Sequence, residues 1–182
     1  MTEFRSQNIP LNPTNYVGLQ FYFVTICSFD RHKIFVNPLL CSWLVKIFRA
    51  ESARCGFSIH AYCLMPDHFH FLAEGVSPSS DLLKLVKSFK LKTSRVYHRR
   101  TSRTLWQRKF FDHILRPRDV PESVSWYIWM NPVRKGLAPE VGAYPFSGSF
   151  TAPFPPKGIP STIWAPPKFQ NSPLQKAGAT TA

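Results

Sequence analysis

Phe57-Ser58-Ile59-His60-Ala61-Tyr62-Cys63-Leu64-Met65-Pro66-Asp67-His68-Phe69-His70-Phe71-Leu72-Ala73-Glu74 is the stretch that decides the fold. Residues 57–65 and 68–74 are dense in aromatic and apolar residues, with a Pro-Asp turn between them. That pattern predicts an antiparallel hairpin. Side chains two apart on a strand share a face. His68 and His70 therefore project together from one side, and Phe69 and Phe71 from the other, into a core. Two imidazoles placed so can chelate a divalent metal; a pair of half-buried polar histidines on a sheet is the plainer alternative.

Upstream, residues 19–28 (Leu-Gln-Phe-Tyr-Phe-Val-Thr-Ile-Cys-Ser) predict a strand buried on both faces, with Asp30-Arg31-His32 as its exit turn. Asn37-Pro38 is a helix start, Asn capping and Pro in the first turn. Leu40, Trp43, Leu44, Ile47 and Phe48 give that helix one apolar stripe, and Gly56 a stop. Downstream, Asp81 caps a second helix to about residue 99, with Leu82, Leu85, Val86, Phe89 and Val96 inward. Residues 110–116 predict a fourth strand. Asp119 and Glu122 are spaced as a capping box around Pro121, predicting a helix over about 120–130. Asn131-Pro132 ends it and opens a short helix over 133–137. The order β-α-β-β-α-β, then helices, predicts an α+β, ferredoxin-like fold. Its four-stranded antiparallel sheet has the third strand beside the first, two helices on one face, and the extra C-terminal helices on part of the other.

Residues 1–18 form an irregular lead-in and 19–150 the domain. Residues 151–182 hold 7 of the 17 prolines and no acidic residue, which predicts a largely unfolded tail, though Ile163 and Trp164 could dock. The chain has 182 residues, and no stretch reaches the apolar length of a membrane span. Its N-terminus lacks the apolar run of a secretory signal, so a cytoplasmic protein is expected. None of the four cysteines forms a Cys-x-x-Cys pair, which argues against a zinc ribbon.

The formal net charge of +13 favours an anionic partner. Residues 84–109 hold 10 of the 23 Lys+Arg: Lys84, Lys87, Lys90, Lys92, Arg95, Arg99, Arg100, Arg103, Arg108 and Lys109. No acid lies between Asp81 and Asp112, and Tyr97, Trp106, Phe110 and Phe111 are interleaved. Cations for phosphates and rings for bases are what a nucleic-acid single strand needs, so this segment, Trp106 included, is the expected DNA-binding surface. Tyr127 and Asn131 lie four apart on one helical face. A tyrosine beside a metal-polarised phosphate can act as nucleophile, and an amide oxygen can complete a metal site. The same residues also read as a core aromatic and a helix cap.

Taken in order, the motifs resemble the HUH single-tyrosine transposases of bacterial insertion sequences, and most closely their REP-associated branch. The matching pieces are Phe23-Val24-Thr25, Met65-Pro66-Asp67-His68-Phe69-His70, Leu105-Trp106-Gln107, Tyr127-Ile128, Asn131-Pro132-Val133-Arg134-Lys135-Gly136-Leu137 and Tyr144-Pro145-Phe146-Ser147. The resemblance implies cleavage and rejoining of hairpin-containing single-stranded DNA through a 5′-phosphotyrosine. It makes Tyr127 the nucleophile and His68, His70 and Asn131 the ligands of Mg²⁺ or Mn²⁺, in a monomer or homodimer. The family typically has Asn where Asp67 stands. Two imidazoles suit Mn²⁺ better than Mg²⁺, so the metal rests on the resemblance. The alternatives are a non-catalytic single-strand-binding protein on the same fold and a zinc-binding structural protein using Cys63, His68 and His70. The ten acids are scattered, which disfavours a three-carboxylate nuclease.

Overall fold

The computed structural model describes residues 13–167. After a 3-10 turn at Pro13–Tyr16, the elements are β1 (Phe21–Cys27), α1 (Pro38–Arg54), β2 (Phe57–Met65), β3 (His68–Gly75), α2 (Leu82–Thr101), β4 (Phe111–Ile114), α3 (Pro121–Trp129), α4 (Asn131–Arg134) and β5 (Ser147–Gly148). The sheet order is β4-β1-β3-β2-β5, with every neighbouring pair antiparallel. The expected βαββαβ arrangement is present, with β3 between β1 and β2.

The helix starts follow from local chemistry. Asn37 Oδ1 accepts from the amides of Leu39 and Leu40 at 2.9 and 3.3 Å, satisfying donors that α1 leaves unpaired. Asp81 Oδ1 does the same for the Lys84 amide at 3.0 Å. Helix α2 runs to Thr101, two residues past the expected end, and stops where Ser102 turns left-handed. The capping box at Asp119 and Glu122 is not formed. Val120 occupies the N-cap, and Asp119 turns back instead, accepting from the Arg116 amide at 2.8 Å while bonding His113 and Trp164. The short helix closes at Arg134 rather than Leu137.

The sheet separates two cores. On one side α1 and α2 cover Tyr22, Val24, Ile26, Phe69 and Phe71; on the other α3 covers Phe23, Ala61, Cys63, Met65 and Leu72. Phe48 of α1 stands at the centre of the first core, its ring centroid 4.8 Å from Phe69, 4.7 Å from Phe71 and 5.3 Å from Phe89. Phe48→Ala is expected to lower the unfolding free energy by about 3–5 kcal/mol, measured by urea denaturation. A loss under about 1 kcal/mol would mean that this cluster does not hold the helices to the sheet.

Strand β5 has only two residues, too few to leave a periodic signal. It pairs Ser147 with Cys63 and Gly148 with Tyr62. A Cβ on Gly148 would lie 2.6 Å from Tyr62 Oη, so only glycine lets the strand approach this closely. Beyond Gly148 the described chain has neither helix nor strand, yet it stays on the domain. Phe154 packs 5.3 Å from Trp129, and Trp164 reaches back over β1. Ile163, expected as a second docking residue, is exposed instead. Residues 168–182, the rest of the expected tail, lie outside the described residues, as do residues 1–12 of the expected lead-in.

Candidate active site

Both predicted histidines lie on the α3 side of the central strand. In the register of β1 and β3, Thr25 stands opposite His70 and Cys27 opposite His68. Directly opposed residues share a face. The two imidazole centroids are 4.4 Å apart, with the rings nearly perpendicular. His70 is buried, His68 only partly so.

Each imidazole has its Nδ1 engaged. His70 Nδ1 is 2.8 Å from Thr25 Oγ1, and His68 Nδ1 is 2.6 Å from Asp67 Oδ1. Nε2 is thereby the nitrogen left for a ligand on both rings. A cation there requires the tautomer in which Nδ1–H donates to Thr25, and the carboxylate of Asp67 imposes the corresponding tautomer on His68. Burial pushes the His70 pKa well below the ordinary histidine value, and the neighbouring His68, Arg31 and Arg134 push the same way. His70 is therefore neutral at pH 7, the form that binds metals. Burial pulls the Asp67 carboxyl up, but hydrogen bonding to His68 and the charges of His68 and Arg31 hold it below its ordinary value.

Helix α3 brings Tyr127 to this face, its ring 6.4 Å from His70 and 5.8 Å from Phe23, centroid to centroid. Burial raises the phenol pKa, and Arg134 works against that. Arg134 lies over the tyrosine ring at 4.4 Å and donates to the Tyr127 carbonyl at 3.0 Å. Asn131 is buried at the start of α4. Its Nδ2 donates to the carbonyls of Tyr127 and Ile128 at 3.0 and 3.3 Å. Those bonds fix the amide and leave its oxygen as the atom able to serve a ligand. Imidazoles with tethered Nδ1 and an amide oxygen are donor types that suit a divalent cation such as Mn²⁺.

The zinc alternative finds less support. Among the described residues no three His, Cys, Asp or Glu side chains are gathered as a metal cluster. Cys63 stands opposite His70 on β2, but burial pushes its thiol up to about 12, and Ser147 Oγ donates to its sulfur at 3.3 Å.

The basic segment divides. Trp106 is not a stacking platform: it is 4% exposed, lies between Phe35 and Phe89, and donates its indole N–H to Thr93 Oγ1 at 2.9 Å. Tyr97 and Phe110 also pack against that core. Lys90 is half-buried, its Nζ bonded to the carbonyls of Gln107 and Arg108 at 2.6 and 3.0 Å, so its charge pins a loop. Lys92 pairs with Glu51 of α1. The remaining expected contacts, Lys84, Lys87, Arg95, Arg99, Arg100, Arg103, Arg108 and Lys109, are exposed. Those on α2 lie in the layer opposite the histidines. The loop that bears Arg108 and Lys109 is different: Gln107 N–H bonds the Cys27 carbonyl at 2.9 Å, which sets it beside the end of β1 that pairs with His68.

Four neighbours of the site were not expected from sequence as site residues. Thr25, Arg31 and Arg134 each belong to a segment already noted; Thr25 and Arg31 meet partners 45 and 36 positions away, whereas Arg134 meets Tyr127 only seven positions back. Trp164 is the fourth. Its ring is 5.4 Å from Tyr127, 5.1 Å from Phe23 and 5.7 Å from His113, and its indole N–H donates to Asp119 at 3.0 Å.

Known proteins resemble this chain in sequence and in fold. A Haemophilus influenzae protein provisionally named a REP-associated tyrosine transposase is 26% identical over 140 residues, 69% of this chain and 77% of that protein. The Escherichia coli REP-associated tyrosine transposase is 30% identical over 95 residues, which is half of this chain and 53% of that relative. A REP-associated tyrosine transposase solved bound to a REP hairpin superposes with a TM-score of 0.62 at 21% identity, covering 81% of this chain and 82% of that one, which establishes the shared fold. The sequence profile described as "Transposase IS200 like" matches residues 16–129, well over half of the chain. The protein belongs to the IS200-like transposase family.

Proposed function

We propose that the protein cuts and rejoins single-stranded DNA through a covalent link to Tyr127, assisted by a divalent cation held by His68, His70 and Asn131. The observation that carries this reading is the convergence of a phenol and a neutral imidazole, 6.4 Å apart between rings, from a helix and a strand that are 57 positions apart in sequence. When bound, the cation would neutralise charge on the scissile phosphate and hold it for in-line attack. Tyr127 Oη, on losing its proton to solvent, attacks phosphorus. The bond to the 3′ oxygen breaks, and that oxygen leaves as a 3′-hydroxyl. The 5′-phosphate stays on Tyr127 as a phosphodiester, so a second 3′-hydroxyl can reverse the step without ATP. Thr25 and Asp67 keep the two imidazoles oriented, while Arg134 steadies the helix end that carries the phenol.

The names of the relatives suggest a hairpin-forming, REP-like single strand as substrate, met in the cytoplasm. Within the basic segment, Arg108 and Lys109 are the candidates for its backbone, because their loop is tied to the end of β1 that pairs with His68. No helix among the described residues is long and apolar enough to cross a membrane.

The test is a 3′-labelled hairpin oligonucleotide incubated with protein and Mn²⁺ or Mg²⁺, then run under denaturing conditions. A labelled adduct that peptide mapping places on Tyr127, absent with EDTA, is the expected result. Retardation under native conditions with no adduct in either metal would instead favour the non-catalytic single-strand-binding reading.

A further inference from the structure

The turn at Asp67 is held by the loop that leaves β1. The Ser28 amide donates to the Asp67 carbonyl at 3.0 Å, its hydroxyl proton is shared between the His32 and Asp67 carbonyls at 2.7 and 2.9 Å, and the Phe35 amide donates to the Pro66 carbonyl at 3.0 Å. Within that loop two consecutive non-glycine residues are left-handed, Asp30 at φ 48° and Arg31 at φ 56°. Side chains with a Cβ enter that region at a cost, and such residues persist where surrounding contacts over-determine them. The contact made here is specific. Arg31 NH1 lies 3.3 Å from Asp67 Oδ2, while the other oxygen, Oδ1, is 2.6 Å from His68 Nδ1. One carboxylate thus joins a guanidinium to an imidazole, each through its own oxygen.

We propose that Arg31 is a positioning residue for the cation site: it clamps Asp67 so that the carboxylate locks the ring and tautomer of His68 with Nε2 toward the metal. A carboxylate held by only one partner can rotate about its χ2 bond, and the imidazole would follow it. The guanidinium removes that freedom. His70 gets the same service from Thr25 on a strand fixed by pairing, but His68 is the first residue of β3, where the ladder ends and cannot provide it. The left-handed turn is the backbone geometry that brings Arg31 to the outer oxygen. The inference rests on the proposed metal site, and its test separates the two.

The experiment has two readouts on full-length protein, without DNA. The first is ¹⁵N NMR of the histidine side chains in metal-free protein. Wild type is expected to show His68 as a single Nδ1–H tautomer. Arg31→Ala and Asp67→Ala should release it to a tautomer mixture, and Asp67→Asn, whose amide oxygen can still accept, should largely keep it. The second is Mn²⁺ affinity from the loss of the free-ion EPR signal. Asp67→Ala is expected to weaken binding about 10–100-fold and Arg31→Ala by a smaller factor, effects typical of groups that orient a ligand. In a His68→Ala background, Arg31→Ala should add no further loss. Arg31 is half-exposed, so its variants are expected to fold, which unfolding curves check. An unchanged His68 tautomer in Arg31→Ala would overturn the proposal, as would an equal Mn²⁺ loss with and without His68. If wild type itself fails to bind Mn²⁺, the metal reading falls, and the NMR result still decides whether Arg31 positions His68.

Discussion

Tyr127→Phe is expected to abolish the covalent DNA adduct and reduce strand cleavage by at least about 10³-fold, with the hairpin bound as tightly as before. Removing a nucleophile removes the only atom able to form the intermediate, and a phenyl ring in its place offers none. The ring contacts with Phe23, His70 and Trp164, and the cation–π contact with Arg134, need the aromatic face and not the hydroxyl. Folding should therefore be unaffected, and the thermal midpoint should stay within a few degrees. Single-turnover cleavage of a labelled hairpin strand beside a native binding gel checks both halves. Cleavage at the wild-type rate would dismiss Tyr127 and move attention to Tyr97, on the basic helix α2.

The second large effect is expected at His70. His70→Ala should remove detectable Mn²⁺-dependent cleavage and weaken Mn²⁺ binding by at least about 100-fold, since it takes one of only three candidate donors. Unlike the tyrosine variant, it should also destabilise the fold. His70 is buried between Phe23 and Thr25, and its loss leaves a cavity and deprives the Thr25 hydroxyl of its partner. A cost of about 1–3 kcal/mol is typical for an orphaned buried polar group. His70→Gln, which keeps more of the volume, should recover part of the stability and none of the cleavage. Isothermal denaturation and metal titration on the same samples separate the two losses. Persistent metal-dependent cleavage in either variant would remove His70 from the site.

Much of this was legible in the chain because it depends on local period and local chemistry. The alternation through 68–71 placed both histidines on one face and both phenylalanines on the other, and Asn37-Pro38 and Asp81 marked helix starts that the backbone amides then use. The features that escaped share a different origin. Thr25 meets His70 across 45 positions, and Trp164 meets Asp119 across 45 more, with no local pattern announcing either. Strand β5 is two residues long and exists because Tyr62 and Trp129 receive it. Trp106 was misplaced for an instructive reason. Its basic neighbours suggested a surface, yet the indole had a hydroxyl partner on α2 waiting inside, and one satisfied N–H makes such a ring good core material. Asp119 was spaced for a cap but had better donors in His113 and Trp164.

Strand β3 is bonded on both flanks along nearly all of its length, and this ties heredity to chemistry at one place. A slip of a single position would swap its two sides, burying the imidazoles under α1 and α2 and delivering Phe69 and Phe71 to the α3 side. The phenylalanines packed under α1 and α2 are therefore what keeps the histidines on the α3 side. Mutational drift in those phenylalanines would be seen by selection as damage to the enzyme as well as to its solubility.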